Sequence, residues 1–313
     1  MPAAETASGR SGLSRGHGAA AFALLIFAWA SQPLFLKYFT GYLDGWTVNG
    51  VRYGMAVAIW LPYLLFHVHR GGLTPGIYRD AWIPAGCHLF GQICWGLSPY
   101  YNDASVMHFI GRSTFLFMII FGFFLLHEER LLFVRPVFWL GVAGTIAGVL
   151  FMYAGGTDIG STSPLGVLLL LGAGAGWASY GVTIKKYMHR HRARLSFAVI
   201  SLYTAPALWV AMFLMGDWAQ IAHVPLPTWG WIFASAVTGI ALAHVMLYVV
   251  LKQYGPIVSD GVFQLIPFVT VVGAYILFGE RMTPLQWVGG CVLIGAAYAL
   301  LLAKRAAGTP PGA

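Results

Sequence analysis

A chain of 313 residues that is 58% hydrophobic and 9% charged, with a mean hydropathy of +0.73, lies far outside the range of water-soluble domains. Its apolar stretches follow one another through short connections, which excludes an appended soluble catalytic domain. The net charge of +8 does not argue for nucleic acid, because its densest run, Lys185 to Arg194, falls between two apolar stretches and suits anionic inner-leaflet lipid.

Residues 1–16 are polar and Gly/Ser-rich and are expected to form a disordered cytoplasmic N-terminus. Arg10, Arg15, the apolar run behind them and Ala28-Trp29-Ala30 imitate a cleavable signal peptide. Cleavage is not expected, since the run continues to Phe39 and has an internal counterpart around Trp177. Windows of about 20 apolar residues predict spans over 18–39, 46–68, 81–101, 103–127 and 133–154, a first unit of residues 17–155. A second unit, 156–303, holds spans predicted over 164–187, 196–216, 228–251, 256–278 and 284–303, and a cytoplasmic tail of 304–313 follows.

The two units share landmarks. Trp29-Ala30-Ser31 with Lys37 recurs as Trp177-Ala178-Ser179 with Lys185, and Glu129-Arg130 recurs as Glu280-Arg281. Five crossings per unit turn the second unit upside down relative to the first. The expected fold is therefore an all-α integral membrane protein of ten transmembrane helices in two inverted five-helix repeats, the architecture of secondary transporters. Fourteen of the 18 Lys and Arg residues fall on one side when both termini are cytoplasmic, whereas Lys37 and Arg281 fall outside and Arg52 and Arg112 within spans.

Polar residues inside spans need partners and mark candidate cavity positions. Helical spacing puts Trp29 with Gln32 in span one and Trp177 with Tyr180 in span six, as pseudo-symmetric pairs. Span three presents His88, Gln92 and Trp95 on one face, and span eight presents His244 and Tyr248. Arg112, with His108 one turn away, lies near the middle of span four, where a charge costs roughly 2.5–3.5 kcal/mol on insertion scales. A planar, permanently charged fork there favours a carboxylate, sulfonate or phosphate; the competing reading is a buried ion pair or a cap on backbone carbonyls, with Asp260 and Asp103 as the acids in reach. An offset of 151, from Glu129 to Glu280, sets Phe263 opposite Arg112 and Gln264 opposite Ser113. Asp260, with Gln264 one turn deeper, is the proton-coupling candidate; it could equally cap its helix after Gly255-Pro256. Arg52 reads as a structural residue snorkelling to the outer interface. Glu129, Arg130, Glu280 and Arg281 read as structural brackets at span ends.

Glycines of Gly172-Ala173-Gly174-Ala175-Gly176, Gly50 with Gly54, Gly144 with Gly148 and Gly289-Gly290 with Gly295 fit close helix packing, and those on spans five and ten are also candidate homodimer contacts. Cys87, Cys94 and Cys291 fall in spans without metal or redox spacing. No zinc helix, GxSxG or Walker loop occurs, so no cofactor, metal or catalytic residue is expected.

The segments Lys252-Gln253-Tyr254-Gly255-Pro256, Leu265-Ile266-Pro267, Leu277-Phe278-Gly279-Glu280-Arg281-Met282-Thr283 and Gln286-Trp287-Val288-Gly289-Gly290 resemble the second repeat of EamA-type drug/metabolite transporters. A weaker copy runs from His127 to Gly144, so the resemblance covers roughly residues 18–303. It implies two inverted five-helix repeats, a central cavity walled by spans one, three, four, six, eight and nine, and alternating access. It further implies export of small metabolites such as amino acids across a bacterial-type inner membrane, with proton coupling in some members. The expected function is a permease for a small amphipathic or anionic metabolite. The rivals are a membrane enzyme acting on a lipid phosphate and a non-transporting membrane partner.

Overall fold

A computed structural model describes residues 15–154, 163–278 and 283–307, and every regular element among them is helical. The first apolar stretch is α1 (Arg15–Ala30) and α2 (Gln32–Phe39), separated at Ser31 just ahead of Pro33. The carboxylate of Asp44 starts α3 (Gly45–His69) by accepting from the Trp46 and Thr47 amides at 2.9 and 3.0 Å. Next come α4 (Ile77–Leu97), α5 (Ala104–Gly111) and α6 (Thr114–Leu125). A short α7 (Arg130–Phe133) leads into α8 (Pro136–Ala154).

In the second half, Ser163 caps α9 (Pro164–Tyr187) through the Gly166 amide at 3.0 Å, and α10 (Ala193–Met215) follows. Then α11 (Leu226–Ala236) runs through a π turn, Val237–Ala241, into α12 (Ala243–Tyr254). The chain closes with α13 (Pro256–Phe263), α14 (Ile266–Phe278) and α15 (Pro284–Ala307).

Eight helices among the described residues are long and apolar enough to cross a membrane: Gly18–Phe39, Gly45–His69, Val106–Leu125, Pro136–Ala154, Pro164–Tyr187, Ala193–Met215, Leu226–Tyr254 and Pro284–Ala307. Two predicted spans fall outside that set. Helix α4 stands where 81–101 was expected, but it begins at Ile77 and includes Arg79 and Asp80, and its α-helix ends at Leu97 before a 3-10 turn over Ser98–Tyr100. Predicted span 256–278 is divided into α13 and α14 at Gln264 and Leu265, leaving a shorter apolar helix, Pro256–Val272. Predicted span 103–127 is likewise divided, at Arg112 and Ser113.

Small residues let these helices approach closely, as the glycine spacing predicts. A methyl group on Gly176 would meet the Gly91 backbone at 2.6 Å, so α4 and α9 touch there main chain to main chain. Gly148 on α8 faces the Gly289 carbonyl on α15, Gly144 faces Ala296 and Gly141 faces Leu300. The glycines expected as homodimer contacts on spans five and ten thus join α8 to α15 within one chain. Large apolar side chains face outward around the molecule, among them Phe27, Phe124, Leu140, Leu168, Leu214 and Trp231, as a lipid-facing surface requires.

Candidate functional site

A cavity of about 110 Å³ lies between the two halves. Its walls come from α1 and α2 (Trp29, Gln32, Pro33), α3 (Arg52), α4 (Gln92, Trp95) and the α5–α6 break (His108, Gly111, Arg112, Thr114, Met118). The second half supplies Trp177, Tyr180 and Gly181 from α9, Gly239, Ile240, His244, Leu247 and Leu251 from the π turn and α12, and Pro256, Asp260, Phe263, Gln264 and Ile266 around the α13–α14 break. Three tryptophans and several aliphatic groups make the wall apolar, with a few polar groups set into it, the usual make-up of a small-molecule site.

Arg112 ends α5, and its Nη1 donates to the Phe263 carbonyl at 3.0 Å, joining the two helix breaks. Its bond is thus to a backbone carbonyl, that of the position equivalent to it in the repeat alignment. Its Nε is buried without a hydrogen-bond partner. Asp260 occupies the middle of α13 rather than its N-cap, which is Gly255, so the capping alternative fails. Its Oδ2 accepts from the Gln264 amide at 3.4 Å.

The π turn is held by indoles. Trp29 Nε1 donates to the Gly239 carbonyl at 3.3 Å, and Trp60 Nε1 to the Ala241 carbonyl at 2.8 Å. Gln32 fastens to the same region through Thr238 Oγ1 at 3.4 Å. His88 and Tyr248, expected at the cavity, stand behind its wall. His88 is hydrogen-bonded to the Tyr53 hydroxyl at 2.7 Å, and Tyr248 to the hydroxyl of Tyr180. The His88 ring packs on His244 and Tyr180, and the Tyr248 ring on Tyr180, in one aromatic cluster that backs the site.

Arg52 is the residue that sequence reasoning misplaced. It is 2% exposed and lines the cavity instead of reaching the interface. Its Nε donates to Ser235 Oγ and its Nη2 to Gln32 Oε1, both at 2.7 Å. The signal available in the sequence was the charge itself, within an otherwise apolar span.

The turn residues behave differently from a mutual pair. Glu129 is fully buried and accepts from Lys304 Nζ at 2.9 Å, which ties the end of the first half to α15. Burial pushes the Glu129 carboxyl up from its ordinary range, and the Lys304 ammonium opposes that shift. Arg130 instead donates to the Phe123 and Phe124 carbonyls at 2.8 and 3.2 Å, capping α6. Glu280 and Arg281 lie outside the described residues. No cluster of metal-binding side chains occurs among the described residues.

Residues 164–302 match the EamA-like transporter family. Threonine/homoserine exporters from two strains of Salmonella typhimurium are each 27% identical over 171 residues, 55% of this chain. The chain spans 57% of the length of those curated relatives. A protein of known crystal structure superposes over 95% of this chain and 100% of its own length, with a TM-score of 0.71 at 16% identity, a likeness that shows the fold. Together with the eight apolar spans, these matches make the chain a multi-pass inner-membrane protein related to transporters rather than to enzymes.

Proposed function

We propose that the protein, whose residues 164–302 match the EamA-like transporter family, is a secondary transporter exporting a small amphipathic or anionic metabolite, such as an amino acid, by alternating access. The observation that carries this reading is a cavity walled by both halves, lined with aromatic rings and holding the buried cation Arg112. The relatives' activity as threonine/homoserine exporters points the same way.

The reading includes ten spans in two inverted repeats with both termini cytoplasmic. Pseudo-symmetric contacts support it. Trp29 bonds Gly239 while Trp177 packs on Gly91, each member 148 positions from its counterpart. Lys37 donates to the Asn102 carbonyl ahead of α5, and Lys185 to the Lys252 carbonyl ahead of α13. Both of those helices break after eight residues. Broken helices near mid-membrane expose polar backbone at a cargo site in other transporters.

Arg112 is the cargo's anion contact, and Asp260 carries the coupling proton. Trp29, Trp95, Trp177 and Tyr180 hold the apolar body, while Gln32, Gln92, His108, His244 and Gln264 supply hydrogen bonds. Membrane lipid surrounds the protein, and a homodimer would have to use faces other than the glycines that join α8 to α15. Thermal stabilisation of the purified protein against a metabolite panel tests the site. A ligand at 100 times its dissociation constant adds about 2.7 kcal/mol to the folded state. Anion or zwitterion shifts that disappear in Arg112→Ala, with ligand-free melting unchanged, support the assignment; a variant that keeps every shift contradicts it.

A further inference from the structure

Arg52 presents an electrostatic problem that the fold leaves open. Its guanidinium is buried in the middle of the protein, and its three bonds go to neutral oxygens: Ser235 Oγ, Gln32 Oε1 and, at 3.4 Å, the Ser235 carbonyl. Among the described residues no carboxylate lies within ion-pair distance of it. A guanidinium does not deprotonate in proteins, and an unpaired buried cation is costly. Nη1 is buried without a hydrogen-bond partner, on a side chain that lines the cavity.

The Gln32 amide is oriented for this contact. Its Nε2 donates to the Ala28 carbonyl at 3.1 Å and to Thr238 Oγ1 at 3.4 Å, which turns Oε1 toward Arg52. The fork is therefore held rigid while one N–H pair remains unused. The cavity's charges then decide the cargo's sign. In the state with Asp260 deprotonated, Arg52 and Arg112 contribute two positive charges and Asp260 one negative, while the histidines lining it, His108 and His244, contribute no negative charge.

We infer that Arg52, held by Gln32 and Ser235, forms an anion subsite and that the cargo is an organic monoanion. Its carboxylate-type group pairs with Arg52 Nη1 in addition to the Arg112 contact proposed above, and its apolar or aromatic body lies against Trp29, Trp95 and Trp177. A monoanion neutralises the one surplus charge, whereas a zwitterion leaves it in place. The inference rests on the cavity being the cargo site proposed above and names its chemical class.

Isothermal titration of the full chain in detergent micelles tests this with three probes that share a ring: benzoate, benzamide and phenylalanine. Benzoate is expected to bind at least tenfold more tightly than benzamide and more tightly than phenylalanine. Arg52→Gln is expected to weaken benzoate at least tenfold and to remove the discrimination, with Arg52→Lys intermediate because it keeps the charge and loses the fork. If Arg52→Gln does not fold, the wild-type ratio and Arg52→Lys decide. Equal binding of benzoate and benzamide, tighter binding of phenylalanine, no benzoate binding, or discrimination retained in a folded Arg52→Gln or undiminished in Arg52→Lys would each overturn the inference. Binding is read here without flux, so failed flux with intact anion selectivity counts against the transport reading alone.

Discussion

Gly255 occupies a conformation that few other residues tolerate, φ +82°, and a methyl group there would run into the Glu129 carboxylate at 2.0 Å. Gly255→Ala is accordingly expected to cost about 1–3 kcal/mol, seen as a lower melting temperature with ligand affinity kept in the folded fraction. Asp80 makes a different kind of contribution. It accepts from Arg190 Nη2 at 2.6 Å, Arg190 Nε at 3.0 Å and His191 Nε2 at 2.9 Å, joining the start of α4 to the α9–α10 loop. The His191 hydrogen bond, and secondarily Arg190, holds its carboxyl below the ordinary 3.8. A depressed folded value means the stabilisation is present above that ordinary value and is lost as pH falls through the folded one. Asp80→Asn should therefore melt below the wild type near neutral pH, with the gap closing on acidification; a gap independent of pH would count against this assignment.

Residues announced by an anomalous charge or a repeated position were legible at this scale. Arg112 stood out in an apolar run, and a bond to a backbone carbonyl was one of its expected readings, but the repeat offset only aligned it with Phe263 and did not encode their contact. Arg52 was equally anomalous but misread, because Gln32 and Ser235 approach it from other helices and no local spacing encodes that convergence. His88 and Tyr248 kept the helical faces assigned to them, yet Tyr53 and Tyr180 hold them behind the wall.

At the scale of elements, the breaks and close approaches set the shape of the cavity. The π turn replaces ordinary helix hydrogen bonding between α11 and α12, and the Trp60 indole bonds the Ala241 carbonyl there. Trp60→Phe removes that donor from a residue that does not line the cavity. It should cost about 1–3 kcal/mol in stability and leave ligand affinity unchanged. A larger effect on affinity than on melting would mean that the π turn itself moves during binding. Gly176→Val probes the main-chain contact between α4 and α9. The three carbons of an isopropyl side chain cannot be placed against the Gly91 backbone, so a large loss of folded protein is expected in size-exclusion chromatography. Close packing was readable from glycine spacing, whereas the partner helix was not, and the faces on α8 and α15 proved to meet each other. Helix breaks at Arg112–Ser113 and Gln264–Leu265 fall inside continuous apolar runs, where hydropathy alone has no reason to interrupt a span.

At the scale of the molecule, composition made the membrane class legible before any contact was known, and recurrence of the Trp-Ala-Ser and Glu-Arg landmarks is what suggests two units. Arrangement in space required the long-range pairings, α3 along α10, α4 along α9 and α8 along α15. The proposed topology puts Thr40 outside and Thr74 inside. In a background with native cysteines replaced, an impermeant maleimide should label cysteine at position 40 on intact cells and at position 74 only after permeabilisation; the reverse pattern would invert the topology.

Flux of a radiolabelled anion, selected by binding to the purified protein, into sealed proteoliposomes tests the transporter reading most directly. Saturable accumulation of the chemically unaltered compound, lost in a folded Arg112→Ala protein, is the predicted result. A chemically altered product, or no uptake by vesicles whose protein still binds the anion, would contradict it.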